Sequence, residues 1–212
     1  MGEEDPAAAR QLWTELAPTQ AAADAFFAYD NIIDVTIRFD NYETWRAIKT
    51  DIPDGNGTSD GGVCARLPIN TNGESPDRFP WVTPKSVVMK DSKAVFPDAG
   101  TTFAASDVEI KKKSYCGSLT TSENEQPSLK IKFKNATARD KMGAQYLTLN
   151  NSKQDGSWIR QNLGYYLVGL AGLPRPRINY AKVHVVFGDR TTTDEYVAVN
   201  VESVRGSFIN NP

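Results

Sequence analysis

Residues 129–134 read LKIKFK, and no other stretch of this chain restricts the fold so tightly. In an extended chain side chains alternate between two faces, so Leu129, Ile131 and Phe133 share one face and Lys130, Lys132 and Lys134 the other. Three ammonium groups cannot be buried without partners. The segment therefore belongs to a sheet with one apolar, packed face and one face open to water or to an anion. By residue type alone the lysine face is a solvated surface. The functional alternative is a lysine facing a polyanion, such as nucleotide phosphates, across a cleft.

Other segments extend the pattern. DVTIRF sets Val35, Ile37 and Phe39 against Thr36 and Arg38, a half-buried strand. DNYETWRAIKTD follows with an Asp40/Asn41 cap and Tyr42, Trp45 and Ile48 on one helical face. DVEIKKKSY and QYLTLN read as strands. AKVHVVF and YVAVNVESV read as two more, joined by the hairpin loop GDRTTTDE. After Ser157, a helix places Ile159, Leu163, Tyr166, Leu167 and Leu170 on one side, which the pattern predicts to be core. Gly164 and Gly169 within it imply close packing on the sheet, and Gly172 with Pro174 stops it. At the start, Asp5, Pro6, Leu12 and Leu16 mark a helix, and TQAAADAFFAY a second short one. The fold expected is α+β: a mostly antiparallel sheet of about five or six strands with a packed helix, preceded by short N-terminal helices.

Charge and composition exclude several function classes. A net charge of -2 gives no bulk attraction to nucleic acid or anionic membrane. No apolar run is long enough to cross a bilayer, and MGEEDPAAAR lacks the basic-then-apolar order of a signal peptide. In DIPDGNGTSDGG, Asp54, Asn56, Thr58 and Asp60 alternate as in a calcium loop. But Ser59 stands where the turn glycine belongs and Ala65 where a bidentate glutamate belongs. A solvent loop fits residues 51–85 better than a metal site. Cys64 and Cys116 form a disulfide if the chain is extracytoplasmic and remain two thiols otherwise. Asn56, Asn135 and Asn150 sit in glycosylation triplets, which also arise by chance. His184 is the one histidine and sits in a strand, a poor basis for a catalytic triad or a metal centre.

Read in order, VEIKKKSYCGS, PSLKIKF and above all YLTLNNSKQDGSWIRQNLGYYLVGLAGLPRPRINYAKVHVV resemble the CotH-type spore-coat kinase family. DVTIRFDNYETWRAI and YVAVNVESV resemble its opening strand and helix and its V-E-x-V strand. The resemblance implies an atypical protein-kinase fold, with residues 1–30 an N-terminal helical segment and residues 31–212 an N-terminal lobe. It implies transfer of a phosphoryl group from ATP, with Mg, to a protein hydroxyl. The implied nucleotide-binding residues are Lys130, with Lys132 as alternative, together with Gln161 and Glu202. Arg160 matches the family's arginine. Gln161 stands where the family has a glutamate, so the tether to the nucleotide lysine loses its charge-assisted part, about 1 kcal/mol or more.

In that family the metal ligands and catalytic acids lie beyond the V-E-x-V strand, in a second lobe. This chain reads as the first lobe, incomplete for catalysis and needing the missing lobe or another protein partner. The other reading is a non-enzymatic structural or adhesive module. Both imply a secreted or cell-surface setting, with no nucleic acid and no membrane span. The approach of Lys130 to Gln161 across a strand–helix interface is the geometric expectation that follows.

Overall fold

The structure is a computed structural model that describes residues 20–50, 79–113, 120 and 122–203. It is α+β, with a mixed sheet of eight strands. The strands are β1 (Ile32–Phe39), β2 (Ser86–Asp91), β3 (Thr101–Ala104), β4 (Val108–Lys112), β5 (Leu129–Phe133), β6 (Tyr146–Asn150), β7 (Ile178–Phe187) and β8 (Asp194–Val201). The α-helices are α1 (Tyr42–Thr50), α2 (Ala136–Met142) and α3 (Arg160–Leu170), and residues 20–26 are also helical. The order across the sheet is β3-β2-β1-β7-β8-β6-β5-β4. In the middle, β1 and β7 run parallel, from Ile32 opposite Tyr180 to Phe39 opposite Phe187. The expectation of a mostly antiparallel sheet of about five or six strands is corrected to a mixed sheet of eight.

Strand alternation divides the molecule. Ile33, Val35, Ile37, Val87, Met89, Val108, Ile110, Leu129, Ile131, Phe133, Leu147, Leu149, Val183 and Val185 all belong to one buried cluster. Trp45 and Ile48 of α1, Ala23 and Phe26 of residues 20–26, and Ala138 and Met142 of α2 cover that face. Phe96, Phe103 and Phe133 meet edge-on in sequence, with ring centroids 6.3 and 5.0 Å apart. Each fully buried Leu, Ile or Phe contributes about 1.5–3 kcal/mol of burial, so this face fixes the register of every strand. The opposite face carries the polar residues of the same strands.

Three elements went unread for identifiable reasons. In β2, Val87 and Met89 are buried while Val88 lies on the other face, so SVVMKD shows no clean alternation. β3 has four residues, of which only Phe103 is buried. α2 anchors only Ala138 and Met142. Asn135 caps it by accepting from the Thr137 N–H at 2.8 Å, and Gly143 ends it in a left-handed conformation (φ 59°).

The expected packing of α3 is overturned. Ile159, Leu163, Tyr166, Leu167 and Leu170 are exposed rather than core. Helical spacing shows that a face is apolar, not what covers it. The sheet is met instead by Trp158 and Tyr165, against Ile178, Val199, Val201 and Tyr180. Gly164 has open space around it, and the nearest neighbour of Gly169 is the Arg175 side chain, not the sheet. The stop is as read: Gly172 has φ 72°, and its N–H donates to the Gly169 carbonyl at 3.0 Å. The first N-terminal helix, the calcium-like loop, Asn56, Cys64 and Cys116 lie outside the described residues.

Candidate functional site: a polar cavity beside α3

Cross-strand pairing arranges the open face in rows. Lys111, Lys130, Thr148, Val201 and Ile178 form one row by successive pairings. Glu109, Lys132 and Tyr146 form the row on one side of it. On the other side Asn150 pairs with Val199, and Val199 with Tyr180. The Lys113 N–H donates to the Ser128 carbonyl at 2.7 Å and carries the ladder to that row. Successive rows on one face lie about 6.6–6.8 Å apart.

The Lys113 row opens into a cavity of about 480 Å³ lined by Lys113, Ser128, residues 150–155, Arg160 and Gln161. The Lys113 ammonium donates to Asn150 Oδ1 at 3.1 Å, and Asn150 Nδ2 donates to Gln161 Oε1 at 3.1 Å. Lys113 is exposed by surface area. Yet the concave wall around it displaces enough water to lower its pKa by desolvation.

Local chemistry explains the loop that enters α3. Asp155 Oδ1 accepts from the Ser157 hydroxyl and, at 3.1 Å, from the Ser157 N–H; Oδ2 accepts from the Arg160 N–H at 2.8 Å. Those bonds hold its carboxyl below the usual carboxylate range, the Ser157 hydroxyl bond first, with the Arg160 charge assisting. Asp155 thus serves the orphan N–H groups at the start of α3. Asn151 ties the loop to the sheet: its N–H donates to Ser128 Oγ at 3.0 Å and its Nδ2 to the Gln126 carbonyl at 2.8 Å. Trp158 is held at φ 61°, a conformation that costs a non-glycine residue about 1–3 kcal/mol. Its carbonyl accepts from the Tyr180 hydroxyl at 2.8 Å, and its ring packs on the sheet, which offsets the strain.

The sequence-derived site residues are not all gathered here. Gln161 is in the cavity. Lys130 lies one row away, its Nζ 3.4 Å from Ser203 Oγ and 4.5 Å above the Tyr146 ring. Lys132 and Lys134 flank Glu109 at 3.7 and 2.8 Å, a pairing that lowers the Glu109 pKa. Glu202 is buried and engaged by Arg177: Nη1 reaches Oε1 at 2.7 Å and the Arg177 N–H donates to Oε2 at 3.1 Å. His184 stands between Glu195 (3.2 Å) and Asp34 (3.6 Å), on β7 rather than at the cavity. Sequence reading missed Lys113 and Asn150. The signal was the same-face spacing of Lys111 and Lys113, and of Thr148 and Asn150.

Lys113, Lys153 and Arg160 line the cavity against one acid, Asp155, already committed to the helix start. Lys153 also pairs with Glu125 at 2.5 Å. Cations and neutral amide donors in a concave site suit an anion with several oxygens. The lining offers no obvious carboxylate pair for a divalent cation, and among the described residues no group of three metal-binding side chains occurs.

A family model described as CotH kinase protein matches residues 114–191. The match begins one residue after Lys113 and runs through β5, α2, β6, α3 and β7. It therefore contains most of the cavity lining and supports a kinase-like character for this part of the chain. It covers less than half of the sequence, leaving out β1 to β4 and β8. No curated protein matches the chain. No helix among the described residues is long and apolar enough to cross a membrane.

Proposed function

We propose that this chain supplies the sheet-and-helix lobe of a CotH-like protein kinase domain, and that the cavity beside α3 receives the phosphates of ATP. The observation that carries the reading is the chain of contacts from Lys113 through Asn150 to Gln161. It supports a lysine held ready just past the end of β4 and connected to a helix, in a cavity rich in cations and amide donors. Lys113 takes the role first assigned to Lys130, and Lys130 and Arg160 extend the same positive field. ATP supplies the phosphoryl group when bound; these residues hold and orient its oxygens. The lining fits phosphate better than it fits Mg, so the Mg ligands and the catalytic acids come from outside these residues, in a second lobe or partner. The lobe alone is then incomplete for turnover. By the same resemblance the setting is extracytoplasmic or the cell surface. A bridged Cys64–Cys116 pair, read by mass spectrometry without reductant, supports that placement, and two alkylatable thiols in secreted protein refute it.

Calorimetric titration of Mg-ATP tests the reading. Losing a charged hydrogen bond costs about 1.5–3 kcal/mol, so Lys113→Ala weakens binding by roughly 10- to 100-fold. Lys130→Ala has a smaller effect, and Lys132→Ala, whose charge is shared with Glu109, the least. Equal affinity in wild type and Lys113→Ala refutes the assignment of Lys113. No binding by wild type, alone or joined to a second lobe, refutes the nucleotide site itself. The uncovered apolar side of α3 favours a second reading, a non-enzymatic binding module, which that last result selects.

A further inference from the structure

The three cations of the cavity beside α3 have partners of different kinds. Lys153 faces Glu125 at 2.5 Å. The Arg160 guanidinium lies 3.7 Å from Asp155 Oδ1, on the carboxylate that also accepts from the Arg160 N–H. Lys113 meets an amide instead: its ammonium donates to Asn150 Oδ1 at 3.1 Å, and Asn150 Nδ2 donates onward to Gln161 Oε1. The rest of the lining is neutral. On the sheet, the nearest charges on its face are also cations: Lys111, two residues back, and Lys130, which pairs with Lys111 across the strands. Like charges nearby disfavour the ammonium of Lys113, and the concave wall removes part of its water. An amide oxygen offsets these effects less than a carboxylate would. Desolvation moves the Lys113 pKa down from the ordinary 10.5.

We propose that the cavity takes up its anion together with a proton, which goes to the Lys113 amine, and that the neutral amide of Asn150 is what permits this. The inference rests on the reading of the cavity as a phosphate site and adds the regulation of that site. The step is a simple protonation: the Nζ lone pair takes a proton from solvent, one N–H bond forms, and the resulting ammonium faces the anion. An oxyanion seated beside Lys113 brings the negative charge that Asn150 lacks, so the bound state holds the proton more tightly than the empty one. Below the pKa of the empty site the ammonium is present with or without the anion, and affinity does not depend on pH. As pH rises through that pKa, binding has to draw in a proton, and affinity falls by up to about tenfold per pH unit. A carboxylate at position 150 would keep the proton on Lys113 in both states and uncouple the two events.

Two titrations of the full chain decide this. The Lys113 side-chain carbons are followed by NMR against pH, with and without Mg-ATP, and Mg-ATP affinity is measured from about pH 7 to pH 9.5. Mg-ATP keeps one charge over that range, so any pH dependence belongs to the protein. In the empty chain Lys113 titrates below 10.5, and Mg-ATP raises its midpoint. Wild-type affinity falls by about tenfold or more across the range. Lys113→Arg still binds but loses that fall, because a guanidinium does not titrate there. Asn150→Asp raises the Lys113 midpoint and loses the fall as well; only the slope is read, since the added carboxylate also repels the ligand. Lys113 is exposed, so Lys113→Arg keeps the test open if Asn150→Asp does not fold. A Lys113 midpoint at or above 10.5 in the empty chain, or a wild-type profile parallel to that of Lys113→Arg, overturns the linkage and leaves the phosphate reading standing. A folded Asn150→Asp chain that titrates as wild type overturns the role of Asn150. No binding of Mg-ATP at any pH, alone or joined to a second lobe, overturns the phosphate reading and the linkage with it.

Discussion

Replacing Asp194 with Ala strands a buried lysine, and the size of the loss follows from the geometry. The Lys49 side chain is 5% exposed and its Nζ lies 2.8 Å from Asp194 Oδ2. The Trp45 indole N–H donates to the same oxygen at 2.6 Å. Removing one partner of a buried pair costs about 3–5 kcal/mol, because the remaining charge is left uncompensated. Asp194 is 31% exposed, so water reaches part of the gap and brings the figure to the low end, about 3 kcal/mol. In a domain of this size that lowers Tm by about 6–12 °C. Urea unfolding and calorimetry should agree on the loss. The double variant Lys49→Met/Asp194→Ala should recover most of it, since an apolar chain of similar volume needs no counter-charge. A loss under about 1 kcal/mol for Asp194→Ala, or a double variant as unstable as the sum of the singles, refutes the view that this pair locks α1 to β8.

Further outcomes are expected from the same geometry. Leu147→Ala, in the buried face, should cost about 2–5 kcal/mol, while Leu163→Ala, on the exposed side of α3, should cost under about 0.5 kcal/mol; equal losses by urea titration overturn the packing described for α3. Gln161→Glu keeps the acceptor for Asn150 and adds an acid to the first turn of α3, so it should stabilise by about 0.3–1 kcal/mol, read as a raised urea midpoint. Asp155 has a lowered pKa, so its contribution is present above the ordinary value of 3.8 and lost as pH falls through the lower folded value. The protection of the Leu163 amide, its exchange taken relative to the intrinsic rate at each pH, should therefore fall on acidification in wild type, and that acid-dependent loss should be absent in Asp155→Asn.

The strands that carry strict alternation were legible, β1, β5 and β7 above all, because one buried face selects every second residue. What period two cannot report is which strand lies next to which. The parallel β1–β7 pair joins segments with most of the described chain between them, and nothing local in DVTIRF or AKVHVVF announces it. β3 and α2 were illegible because each buries one or two side chains, too few to make a period. On α3 the period was correct and its interpretation was not. Five apolar residues at helical spacing stay exposed, and three of them, Ile159, Leu163 and Tyr166, line a groove that the described residues leave uncovered.

The run Lys111–Lys112–Lys113 shows how the same limit applied to the site. Parity puts Lys112 on the packed side, where it is buried and its ammonium donates to the carbonyls of Lys49 at 2.8 Å and Thr120 at 2.6 Å. Its neighbours go to the open face, Lys111 over the Trp81 ring at 4.7 Å and Lys113 into the cavity. One sequence feature thus yields a structural lysine, a surface lysine and a candidate phosphate ligand. The choice among them is made by the β4–β5 register, in which Lys112 stands opposite Leu129. A one-residue slip would send Lys112 to the open face and bury the other two without partners. The buried contacts of Lys112 therefore set the register that delivers Lys113 to Asn150 and Gln161. Lys112→Met should leave the fold standing, since the methionine fills the same space, but it frees the two carbonyls and loosens the end of β4. Phosphate-dependent shifts of the Asn150 side-chain amide, followed by NMR, should weaken in that variant even though Lys113 itself is intact. Unchanged shifts would show that the cavity is organised from the α3 side alone.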